Sequence, residues 1–205
     1  MLLQNLIEEG GVIMIPLMVC SLAIWAVIFE RFWGLAKFKR EFKHLHRVAK
    51  DLLEENRLEE VRGLYLKADR LIAAPHLALL DDDNQVDTDI KIGRVQRRLV
   101  ETQAGLKRFL WVLGTVSSSA PFIGLFGTVV GIIKSFDSMA ATGQGGFAIV
   151  AKGLSEALIA TAAGILVAVI AVMFYNYFQV KVNAINLEFR NKLEDLADLI
   201  GNSSH

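Results

Sequence analysis

The sequence predicts an all-α, polytopic membrane protein with three transmembrane helices, and two observations carry that reading. Three stretches hold no charge at all: Gly10–Phe29, Phe109–Ile133 and Ala157–Val180. Each reaches the ~20 residues that a helix needs to cross the hydrocarbon core. The second observation is that they are unbroken. In lipid the backbone must satisfy itself, as a helix or as a closed barrel, and barrel strands are about half as long. The composition agrees, since 53% of the 205 residues are apolar, above the range of ordinary soluble domains.

Basic residues near span ends set orientation. The segment 34–108 holds 16 basic and 13 acidic residues, which predicts that it is cytoplasmic. The N-terminus and the connection 134–156 then lie outside, and the tail from Lys181 returns to the cytoplasm. Four sections follow: 1–33, the N-terminal end and first span; 34–108, a cytoplasmic helical segment; 109–180, the second and third spans with an outer hairpin; 181–205, a cytoplasmic C-terminal helix.

Within 34–108, Phe38, Phe42, Leu45, Val48, Leu52 and Leu53 are spaced as on an amphipathic helix over 36–67. Gly63 is a candidate break. Pro75 and Asp81-Asp82-Asp83-Asn84 mark a turn region. A new helix is expected to start near Asp87 or Thr88, both good N-caps, and to continue to Ile133 as one helix of roughly 45 residues. Ile185, Phe189, Leu193, Leu196 and Ile200 extend the third span as a heptad-like series.

Several function classes lose support. The formal net charge is zero, so charge alone does not suggest nucleic acid as a partner. Cys20 is the single cysteine and lies inside the first span; it reads as a small packing residue and no metal ligand set goes with it. His44 and His46 read as solvated. Gly143-Gln144-Gly145-Gly146 lacks the Lys and Ser/Thr of a phosphate-binding loop. Trp25, Trp33 and Trp111 read as interfacial or packing aromatics. The first eleven residues hold Glu8 and Glu9 but no Lys or Arg, unlike the basic start of a secretory signal. No Ser/His/Asp or Cys/His arrangement offers catalysis. The expectation is a non-enzyme without cofactor or metal.

Two stripes of small residues carry the functional signal. Ser117, Pro121, Gly124, Thr128, Gly131 and Ser135 recur at spacings of 4, 3, 4, 3 and 4, hence on one helical face. Ala157, Thr161, Gly164, Ala168, Ala171 and Tyr175 repeat the pattern in the third span. One reading is close helix packing, in which small residues let backbones approach and hydroxyls bond across the contact. The other is that the stripes line a cavity shared in an oligomer, on the ground that they are too extended for one three-helix chain to bury. The spans hold no Asp, Glu, Lys, Arg or His, whereas ion carriers normally need an ionisable residue at depth. This disfavours a secondary transporter. A titrating carboxyl, if protons cross, must come from another protein. Glu156, at the outer start of the third span, is either on the ion path or an interfacial residue at a helix N-terminus, where the dipole favours negative charge.

Ala120-Pro121-Phe122-Ile123-Gly124-Leu125-Phe126-Gly127-Thr128-Val129-Val130-Gly131-Ile132 closely resembles the second-span signature of the ExbB/TolQ/MotA proton-channel family. Gly153-Leu154-Ser155-Glu156-Ala157-Leu158-Ile159-Ala160-Thr161-Ala162-Ala163-Gly164 resembles its third-span signature, followed by Tyr175-Asn176. The family commonly has Pro where Lys152 stands, which bears on the shape of the outer hairpin, and again where Ile170 stands; this second departure implies a straighter third helix and a different ring packing. Three spans resemble the ExbB and TolQ branches more than the flagellar one. The resemblance implies a homo-oligomeric ring of five copies in the bacterial inner membrane. That ring would enclose single-span ExbD- or TolR-like subunits with an intramembrane Asp, and work through a TonB- or TolA-like protein. On that basis Thr128, Thr161, Glu156, Ser117, Gly124, Gly131 and Gly164 would line the ion path. A TolQ-type or gliding-motility subunit is the alternative within the class, and a passive membrane scaffold the alternative outside it.

Overall fold

The computed structural model describes residues 12–81, 88–142 and 147–203, and no strand occurs among them. Among the described residues six helices follow one another: α1 Met14–Glu54, α2 Leu58–Leu66, α3 Arg70–Leu79, α4 Thr88–Leu106, α5 Leu110–Thr142 and α6 Phe147–Ser203. Three of them, α1, α5 and α6, are long and apolar enough to cross a membrane. The protein is an all-helical, multi-pass membrane protein. Its chain divides into two compact units, Met1–Glu30 with Phe109–Tyr177, and Arg31–Arg108 with Phe178–His205.

In the first unit Leu17, Ile24, Ile28 and Leu113 are buried, but the α5 and α6 side chains buried against each other are mostly small and many large ones point outward. Ala120, Ala157, Ala160, Ala168 and Ala171 are buried, while Leu22, Phe122 and Met173 are largely exposed. Hydrocarbon explains this inversion. Lipid tails are as apolar as leucine, so burying a leucine between helices gains little, and close backbone packing holds the spans together instead.

The second unit is built as a water-soluble fold is. Phe38, Phe42, Phe178, Ile185, Phe189, Leu193 and Leu196 are buried. The Phe189 ring sits 5.5 Å from both Phe38 and Phe42. Lys39 and Lys43 both reach Glu188, at 3.4 and 2.7 Å. The heptad-like series of the third span is therefore a core stripe, and α6 runs without interruption through Lys152 and Ile170.

The breaks between helices differ from the expected ones. The expected helix over 36–67 divides: its first part is continuous with the first span in α1, which ends at Glu54, and its last part is α2, the two separated by Asn56, whose φ of 59° is left-handed. Asparagine tolerates that region better than most residues. Gly63 breaks nothing and sits inside α2. The long helix expected to end at Ile133 is in fact two helices, divided at 107–109, where Phe109 has a φ of 65°. A tertiary contact accompanies the break: the buried Arg31 donates from Nη1 to the carbonyl of Leu106, at 3.1 Å, taking up an end-of-helix acceptor. The connection 134–156 is largely helical, since α5 continues to Thr142 and α6 begins at Phe147. Asp82, Asp83, Asn84 and Asp87 lie outside the described residues, as does the 143–146 glycine run.

Pro75, expected in a turn region, lies inside α3 and is buried. Proline has no N–H for the carbonyl four residues earlier, here that of Leu71. Thr102 on α4 supplies the missing donor, with its Oγ1 2.7 Å from Leu71 O and 3.0 Å from its own-helix acceptor Arg98 O. A polar side chain 31 positions away permits a helix that local sequence argues against. Thr102→Val is expected to strand a buried carbonyl and cost about 1–3 kcal/mol, read as a lower melting temperature. Thr102→Ser should restore most of the loss.

One of the two histidines expected to be solvated departs from that expectation. His44 is exposed, but His46 is buried with no partner for Nδ1 among the described residues. His76 is buried, stacked on the Tyr65 ring at 4.0 Å, with Nδ1 2.7 Å from Ile72 O. Burial drives its pKa down to about 4; the Ile72 hydrogen bond opposes this and the charge of His46 assists it. The folded state thus refuses a proton that the unfolded chain accepts below about 6.5. Stability contributed by the neutral ring is present above that pH and is lost as pH falls toward about 4, by roughly 3 kcal/mol in all. Melting curves at neutral pH and at pH near 5 should show the drop, and His76→Leu should flatten it.

Candidate functional site

Helices α5 and α6 run antiparallel, and their two small-residue stripes face each other within one chain. The contact is close along its length. A Cβ added at Gly131 would lie 2.6 Å from Ala157 Cβ, and one at Gly164 would lie 2.6 Å from the carbonyl oxygen of Ala120. Near one end, a Cβ at Gly153 would strike Ser135 Oγ; near the other, Gly114 abuts the Tyr175 ring. The expectation that the stripes are too extended for a single chain to bury is overturned, because each stripe buries the other.

Thr128 and Thr161 meet at the centre of this contact. Their hydroxyls are hydrogen-bonded to each other. Thr161 Oγ1 also lies 2.9 Å from the Gly124 carbonyl, whereas Thr128 Oγ1 approaches Gly124 O and Ala157 O only at 3.5 Å. Each hydroxyl has one hydrogen. The shorter contact takes the Thr161 hydrogen to Gly124 O, so Thr128 donates to Thr161. This order leaves the lone pairs of Thr128 Oγ1 without a donor among the described residues. Chemically, a half-buried pair of this kind offers an acceptor for an O–H group.

The other candidate residues divide. Gly124, Gly131 and Gly164 belong to the contact itself. Ser117 turns its hydroxyl back to the Gly114 carbonyl of its own helix, at 2.8 Å. Glu156 is half-buried and lies nine positions into α6. The reading of Glu156 as a residue of the helix N-terminus therefore fails, since dipole effects fade beyond the first turn. At 3.6 residues per turn it is also about 140° around the helix from Thr161, so the two do not share a face. The sequence reading omitted Gly153 and Ala160 from the site. Gly153 was legible as one more step of four before Ala157. Ala160 was not, because it lies beside the stripe and its place becomes apparent only from its contact with Gly127.

With this geometry in hand, comparison with known proteins is decisive. The model of the MotA/TolQ/ExbB proton channel family matches residues 65–191, more than half of the chain. The chain belongs to this family. The biopolymer transport protein ExbB of Salmonella typhimurium is 31% identical over 173 residues, covering 81% of this chain and 71% of that protein. The Tol-Pal system protein TolQ of Pseudomonas aeruginosa is 31% identical over 198 residues, covering 88% and 82%. TolQ of Haemophilus influenzae is 43% identical over 88 residues, covering 43% and 39%. Similarity to proteins named ExbB and to proteins named TolQ is thus of the same order. The region matched by the MotA/TolQ/ExbB model contains the whole α5–α6 contact and both threonines.

Proposed function

We propose that this chain is the ring subunit of an inner-membrane, proton-driven motor that turns protonmotive force into work on outer-membrane processes. We read it as ExbB-type, energising TonB-dependent uptake, with a TolQ-type Tol–Pal subunit or a gliding-motility stator as the second reading. The observation that carries the proposal is the Thr128–Thr161 pair, set in spans that hold no ionisable residue.

Such a wall cannot store charge, because a threonine hydroxyl does not ionise near neutral pH. It can accept a hydrogen bond from the protonated form of a carboxylic acid, which fits the unfilled lone pairs of Thr128. In this reading five copies surround the single-span helices of an ExbD- or TolR-like partner. The partner's intramembrane aspartate carries the proton past the pair, and movement passes to a TonB- or TolA-like protein. The basic segment 34–108 faces the cytoplasm, with the N-terminus periplasmic and the C-terminus cytoplasmic. Glu156, the acidic residue beside the start of the uncharged run, tunes entry at the outer mouth.

Proton uptake into liposomes tests this. The chain alone should conduct few protons, and co-reconstitution with its single-span partner should switch flux on. Glu156→Gln should slow that flux while leaving assembly intact. Robust flux from this chain alone would overturn the two-protein motor. No flux with the partner would favour a passive scaffold.

A further inference from the structure

We propose that a groove in the second unit, remote in sequence from the threonine pair, binds an anion bearing two or more phosphate groups. The groove is open and has a volume of about 770 Å³, within the range of small-molecule sites. Five arginines line it from three helices: Arg62 of α2, Arg70 in the first turn of α3, and Arg94, Arg97 and Arg98 of α4. Two carboxylates, Asp81 and Glu101, share the lining. They pair with Arg94 at 3.5 Å and with Arg98 at 2.8 Å. Arg62, Arg70 and Arg97 have no ion pair among the described residues, which leaves an excess of three positive charges around one space.

Bringing like charges together around a cavity is unfavourable unless something of opposite charge fills it. The choice of residue narrows the ligand. Among the described residues no lysine lines the groove. Guanidinium groups are planar, permanently charged and matched to the bidentate geometry of phosphate and carboxylate. No aromatic ring among the described residues lines it either, so they provide nothing to stack a nucleobase, and recognition falls on the phosphates. Leu66, Ala74, Leu77 and Ala78 form the apolar part of the lining and strengthen charge-assisted hydrogen bonds by lowering the local polarity. The two existing ion pairs are exposed, so exchanging their carboxylates for a ligand is inexpensive. Phosphate is favoured over a carboxylate-bearing peptide because it concentrates more charge in less volume.

The test uses the full chain in phosphatidylcholine nanodiscs, titrated calorimetrically with sodium tripolyphosphate, orthophosphate and a hexaglutamate peptide. Tripolyphosphate should bind once per chain, at least tenfold more tightly than orthophosphate, and weaken as salt rises. The triple variant Arg62→Gln, Arg70→Gln, Arg97→Gln should lose at least tenfold in affinity with an unchanged melting temperature. Lysine at the same three positions keeps the charge without the fork and should fall between. Short-chain cardiolipin separates the sources: displacement of tripolyphosphate identifies a lipid headgroup as the ligand, and failure to displace it identifies a soluble anion. Absence of saturable binding, indifference of the glutamine variant, or tighter binding of hexaglutamate would each overturn the proposal. None of these readouts depends on proton flux, so the motor reading stands or falls separately.

Discussion

Gly164→Ala is expected to drive α5 and α6 apart and to destabilise the protein more than other single-methyl changes in the spans. The added Cβ would lie 2.6 Å from the Ala120 carbonyl oxygen, 3.0 Å from Gly124 Cα and 3.2 Å from Gly124 N. All three are backbone atoms, so no rotamer change relieves the contact and a helix must shift. The shift would stretch the bond from Thr161 to Gly124 O and loosen packing over several turns. Overpacking of this kind costs typically about 1–3 kcal/mol, and between membrane helices no hydrophobic drive compensates it. Gly63→Ala is the control. Nothing lies within 4 Å of a Cβ there, so alanine should gain up to about 1 kcal/mol from helix propensity. Thermal melting in detergent should move in opposite directions for the two variants. An unchanged melting temperature for Gly164→Ala would show that α5 and α6 are not packed this closely.

The second large effect concerns the hydroxyls, and the hydrogen-bond order makes it asymmetric. Thr128→Val keeps shape and removes the unfilled acceptor, so partner-dependent proton flux should fall while melting temperature changes little. Support of about 1–3 kcal/mol for a bound carboxyl corresponds to roughly five- to hundredfold in rate. Thr161→Val also removes the donor to Gly124 O and the acceptor for Thr128. It should therefore lose stability as well as flux. Serine at either position should retain function. Normal flux from both valine variants would reduce the pair to a packing contact and remove these residues from the motor reading.

The parts of this fold that were legible in the sequence are those with a period or a solvent preference. The uncharged runs gave three membrane-length helices because hydrocarbon tolerates no unpaired backbone. The spacing of Phe189, Leu193 and Leu196 gave a buried face because helices repeat every 3.6 residues. Thr128 and Thr161 could be singled out because each is a hydroxyl near the middle of a small stripe. Helix ends were less legible: Asn56 offers a stop signal, since asparagine tolerates left-handed backbone, but Phe109 carries none and adopts that backbone in a tertiary setting. Pro75 misled for the same reason, its defect being repaired by Thr102 from another helix.

By itself, then, the sequence determined the number of membrane helices, the apolar faces of the helices beyond them, and the two small-residue stripes with a threonine in each. These follow from composition and period, which are properties of a single segment. Only the tertiary structure decided that the two stripes pack on each other within one chain, that Thr161 is satisfied by Gly124 while Thr128 retains an acceptor, and that five arginines from three helices share one groove. Those facts depend on which backbone faces which at distances of a few ångströms, and no spacing along a single helix encodes its neighbour.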